Sequence, residues 1–145
     1  MKKRLLFLSI IFLLSIIIIY GCIPKKKEIT ATGKSENWEI RLTYTLEKSM
    51  LYQNGNMVYL KDNPPKKIEW ETIHPNNFPV GSAAEIEVYV NHVKEFRLGA
   101  GGGGSLNEGD NYENIKERID EMSVHIQWEV DGIFYSETIE LDVQD

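Results

Sequence analysis

Cysteine occurs once in the 145 residues, as Cys22. That excludes a disulfide framework and the Cys-rich zinc modules. Histidine is also sparse: His74, His92 and His125 stand far apart, none with a partner at i+4. The paired-ligand spacing of a zinc site is therefore missing, and no metal is expected. Basic residues are few once the N-terminus is set aside, since residues 22–145 carry 13 Lys+Arg against 22 Asp+Glu. A nucleic-acid binder needs Lys and Arg to replace the counterions of phosphate, so that class is excluded. No nucleophile elbow surrounds any serine, and the acids fall on alternating strand positions that read as solvent faces. No enzyme and no cofactor are expected.

Only one long apolar run is present, LLFLSIIFLLSIIIIY from Leu5 to Tyr20. At 16 residues it is short for a spanning helix, which needs about 20, and it has the size of a signal-peptide h-region. Lys2, Lys3 and Arg4 precede it as a basic n-region, and Ile19-Tyr20-Gly21-Cys22 closes it. This ending resembles the bacterial lipobox, with Ile19 at −3 and the small Gly21 at −1. In that family the cysteine sulfur is acylated and the chain is cut before it. The resemblance implies a signal peptide over 1–21, lipid attachment at Cys22, and a protein held on the outer face of the cell membrane by its acyl chains. The alternative is an uncleaved membrane helix from Leu5 to Ile23.

Residues 22–36 are polar and read as the lipidated cysteine and a tether. Lys25, Lys26 and Lys27 sit where they could meet anionic headgroups or simply solubilise the linker. The domain is expected over 37–145, long enough for one core. Trp38, Ile40, Leu42, Tyr44 and Leu46 alternate with polar residues, the period of a half-buried strand. Asn54-Gly55 reads as a hairpin turn between strands at 51–53 and 57–61. Further strands are expected at 66–73 and 84–91, with 93–98 extending or bending from the latter. Ser123–Val130 and Ile133–Val143 flank a second turn at Asp131-Gly132. Val124, Ile126, Trp128, Ile133, Tyr135, Ile139 and Leu141 are placed inward. The sum is an all-β antiparallel sandwich of about six or seven strands, immunoglobulin-like in architecture only.

Residues 99–105, Gly-Ala-Gly-Gly-Gly-Gly-Ser, lack side chains to pack and are expected to form a mobile loop. They match G-x-G-x-x-G at Gly99, Gly101 and Gly104, but no helix opens there, so a nucleotide site is not expected. Tyr112, Ile115, Ile119 and Met122 recur at helical spacing, predicting a short helix over 111–121. Asp110 or Asn111 would cap it, with Glu113 completing a capping box. Residues 108–113 lack the ligand spacing of a calcium loop. Trp38, Trp70 and Trp128 occupy apolar phases and are expected in the core, leaving Tyr59 and Tyr89 as the candidates for exposed aromatics.

Glu36-Asn37-Trp38, the glycine run and Ile126-Gln127-Trp128-Glu129-Val130-Asp131-Gly132 together resemble small Bacillus-type lipoproteins of unknown function. The resemblance implies a lipid-anchored, extracytoplasmic β-domain and transfers no catalytic residue. The expected function is a non-enzymatic binding module with an envelope protein as partner, through a sheet face or the 99–122 segment. The alternative is a small-ligand or metal-sensing accessory to a transporter or receptor, with an envelope hydrolase least favoured.

Overall fold

In the computed structural model, residues 26–75, 77–88 and 93–144 are described, with the backbone alone at 100–102. Alternation builds the first sheet. Strand β2 (Trp38–Glu47) turns Trp38, Ile40, Leu42, Tyr44 and Leu46 inward, all buried. It pairs in full register with β3 (Met50–Tyr59) across a two-residue turn in which Lys48 takes φ 56°. The hairpin turn expected at Asn54-Gly55 is thus corrected: both residues lie mid-strand, opposite Thr43 and Leu42. A turn there would leave a three-residue arm, whereas the longer pairing buries Leu51, Gln53, Met57 and Tyr59. Gly55 serves close approach instead, because a Cβ would lie 2.5 Å from Leu42 Cδ2.

The expected tether is also shortened. Lys27–Lys34 form a strand, β1, paired with β2 from Lys27↔Leu46 to Lys34↔Glu39. The polar look of KEITATGK hides the alternation of Ile29 and Ala31, which are buried. Next come β4 (Lys67–Ile73), β5 (Ala83–Glu87) and β6 (Glu95–Ser105). Strand β6 does not extend β5. It crosses to the first sheet and pairs with the free side of β3, and its bulged register runs through the glycine run. The mobile loop expected at 99–105 is therefore an edge strand. Its glycines fit because neighbours crowd them: a Cβ on Gly103 would lie 2.7 Å from the Tyr52 ring, and one on Gly104 would lie 2.7 Å from the Pro79 carbonyl carbon.

Helix α1 (Tyr112–Asp120) is close to expectation, with its cap shifted. Asn111 accepts from Glu113 and Asn114 backbone N–H groups, and Asn114 Oδ1, not Glu113, accepts from the Asn111 N–H. Asp110 is used elsewhere, accepting from the Asn107 backbone and pairing with Arg118 at 3.3 Å. Ile115 and Ile119 enter the core. Strands β7 (Ser123–Val130) and β8 (Ile133–Glu140) meet at Asp131-Gly132, both with positive φ as a tight hairpin turn requires. The chain then changes sheets, and β9 (Asp142–Val143) pairs with β1.

Two antiparallel sheets result, ordered β6-β3-β2-β1-β9 and β5-β4-β7-β8, so the fold is an all-β sandwich with nine strands among the described residues. Trp38, Trp70 and Trp128 lie in its core as expected. Trp38 contacts Tyr59, Trp128 and Phe96 at ring separations of 4.9, 5.6 and 6.1 Å. At the other end Tyr44 meets Phe78 edge-on and donates its O–H to Met122 Sδ at 3.5 Å. Burial pushes the Tyr44 hydroxyl far above its usual 10.0 and raises Tyr59 as well. An unfolded tyrosine ionises near pH 10 while these stay protonated in the fold. Their contribution is therefore full below about pH 10 and is lost as pH rises further. Tyr44→Phe should flatten that alkaline loss, measured by urea unfolding at about pH 8 and about pH 11. An unchanged slope would refute the assignment to Tyr44.

Candidate functional surfaces

The expected anchor residues Ile19, Gly21 and Cys22 lie outside the described residues, as do Tyr89 and His92. What the fold does settle is where the chain enters. Lys27 opens β1 opposite Leu46, at the end that carries the β2–β3 turn and the start of α1. Lys26 pairs with Glu47 at 3.2 Å, Lys27 lies 4.9 Å over the Tyr112 ring, and Tyr112 donates to the Glu28 carbonyl. Both lysines are thus oriented by acid or aromatic neighbours while staying solvent-accessible.

The opposite end gathers the β1–β2 turn, the segment after β3 and the β7–β8 turn. The Leu60 N–H donates to the Asn37 carbonyl, Asn63 donates to Asp131, and Lys61 pairs with Glu36 at 2.6 Å. That pairing holds the Glu36 carboxyl below its ordinary range. Strand β8 is an edge, and its two halves differ. Ser35 and Asn37 both donate to the Glu137 carboxylate, and Gly33 lies against Ile139 and the Glu140 carbonyl. The first half has no such cover. Ile133, Phe134 and Tyr135 are 57, 72 and 45 % exposed. This corrects the inward placement of Ile133 and Tyr135: period two gives a residue's phase but not the reach of the facing sheet. The inward phase of Tyr135 survives only as a stack on Trp128 at 5.5 Å. Tyr59, expected outside, is instead enclosed by Trp38 and Trp128.

On the outer face of the four-stranded sheet a groove of about 320 Å³ runs between Glu69, Glu71, Glu85, His125 and Gln127. Register sets Glu71 opposite His125 and Glu69 opposite both Gln127 and Glu85. His125 is half-buried. With Gln127 Nε2 donating to its Nε2 at 3.2 Å, the Nδ1 proton is donated to Thr138 Oγ1 at 2.9 Å. Lys67 bridges to Glu85 at 2.7 Å, and that bond raises the lysine's pKa. The groove thus orders charges, with the His125 ring held between Gln127 and Thr138. No group of three His, Cys, Asp or Glu among the described residues is placed to hold a metal. Nor does any described helix have the length and apolarity to cross a membrane. No protein-family model, curated protein or solved structure matches the chain.

Proposed function

We propose that this protein is a lipid-anchored, extracytoplasmic, non-enzymatic binding module that presents the free edge of β8 to an extended segment of an envelope protein. The opposition of two ends carries this reading. Lys27, five residues after Cys22, enters at one end, while the uncovered Ile133-Phe134-Tyr135 edge lies at the other. Five residues reach at most about 18 Å, so acyl chains on Cys22 would hold the domain close to the bilayer with its apolar edge turned outward. Residues 133–136 offer unpaired backbone groups and no charge, which suits strand addition. Outside that segment Glu137 is already occupied by Ser35 and Asn37.

The test joins two measurements on the full chain in its native membrane. Cys22→Ala should release the protein from the membrane fraction or leave it uncleaved. A photoreactive residue at position 134 should give one discrete adduct, which the same probe at Glu28, near the chain entry, should not. A parent protein that is itself uncleaved, or an alanine protein that stays membrane-bound at mature size, would end the acylation reading. Equal, diffuse labelling from both positions would end the docking reading.

A further inference from the structure

Away from that edge, a cavity of about 240 Å³ opens between the free edge strands of the two sheets, β5 and β6. Trp70, Ser82, Ala83, Ala84, Arg97 and Gly99 line it. Ala83, Ala84 and Gly99 contribute little bulk, so the space is kept open by residue size. Arg97 and Ser82 contribute the polar side-chain groups of its lining, each with a donor to offer. Arg97 is exposed on β6, and its guanidinium has no hydrogen bond or ion pair among the described residues. The neighbouring acid along β6, Glu95, accepts from Asn56 at 2.7 Å and forms no ion pair with Arg97. Ser82 is fixed by backbone: Thr72 N–H donates to its carbonyl at 2.8 Å, and its own N–H donates to Thr72 Oγ1 at 2.8 Å. Its hydroxyl accepts from Gln53 Nε2 at 3.0 Å, which leaves the hydroxyl proton free to donate.

Two polar atoms beside this cavity are buried with no partner, Trp70 Nε1 and Gln53 Oε1. Trp70 is 4 % exposed and Gln53 only 2 %. Both atoms lie behind the cavity wall, as the equally unpartnered Trp38 Nε1 lies in the core, so Arg97 and Ser82 are the polar side chains that line the opening itself. Arg97 and Ser82 would both meet oxygens. At about 240 Å³ the space falls below the roughly 300–1,000 Å³ of drug-sized sites.

We propose that this cavity binds the free carboxylate end of an amino acid or short peptide, with Arg97 and Ser82 on the carboxylate. This stands apart from the docking edge on β8 and from the anchor. The probes are N-acetyl-alanine, N-acetyl-alaninamide and N-acetyl-alanyl-alanine, added to the full-length protein in detergent with thermal unfolding and titration calorimetry as readouts. The carboxylates should raise Tm, and the amide should not. Arg97→Ala should weaken carboxylate binding by about tenfold or more while leaving the unliganded Tm unchanged, and Arg97→Lys should restore part of it. Tighter binding of the dipeptide assigns a peptide end, and equal binding assigns a single residue. Equal response to acid and amide, an unchanged affinity in Arg97→Ala, or no response at about 10 mM, where millimolar affinity would register, overturns the proposal.

Discussion

Replacing Trp38 with alanine is expected to destabilise the domain by about 3–5 kcal/mol, the range for deleting a large buried aromatic. Trp38 is fully buried where β2 faces β7, and three rings rest on it: Tyr59, Trp128 and Phe96. Its removal leaves a hole that none of these can fill without abandoning the others. Trp38 Nε1 has no hydrogen-bond partner, so Trp38→Phe loses packing alone and should cost much less. Phe134→Ala is the control: at 72 % exposure it should change stability by no more than about 0.5 kcal/mol. Urea midpoints at constant m measure all three. Equal losses for Trp38→Ala and Phe134→Ala would contradict the described core.

Deleting residues 100–104 is the second large effect. Were this segment a mobile loop, its removal would cost little, because loop-closure entropy changes slowly with length. As part of β6 it supplies the pairs Leu51↔Gly104, Tyr52↔Gly103 and Asn54↔Ala100. Its loss would also disconnect buried Leu98 from the backbone bond between Leu106 and Ser49. A cost of about 3 kcal/mol or more is expected, a fall in Tm of roughly 10 °C or more. Gly104→Ala should move in the same direction, since its Cβ would collide with the Pro79 carbonyl, which belongs to a loop anchored by buried Phe78 and Val80. A deletion variant that melts with the parent would restore the loop reading.

Where side chains alternate over a half-buried surface, the sequence is legible. The β2 phase, the β7–β8 turn and the placement of Ile115 and Ile119 on one helix face could all be read from spacing. Strand identity fails where small residues replace periodicity. Gly99–Gly104 carry no pattern, and only the contacts of Tyr52 and Pro79 show why glycine stands there. In β1 the inward residues are just Ile29 and Ala31, too few to outweigh flanking lysines and threonines. Asn54-Gly55 misled because a favourable turn dipeptide is a local preference, overruled here by ten paired residues on each side. The candidate surfaces were less accessible still. Exposure at Ile133–Tyr135 depends on where the β1–β2 turn stops covering β8. The cavity between β5 and β6 joins residues from three segments, at 70, 82–84 and 97–99, and nothing in their spacing announces it.

The position of β1 has a mechanical consequence. A load applied at Lys27 and resisted at the β7–β8 turn runs lengthwise along β1, because these points lie at opposite ends of the sandwich. The eight β1–β2 residue pairs then bear the pull in shear, all at once, and not by peeling from one end. With β9 on its other side, β1 is gripped from both flanks at Ala31 and Thr32. A domain pulled between a bilayer and a partner would yield late and abruptly, while pulling on its C-terminus would first strip the two-residue β9.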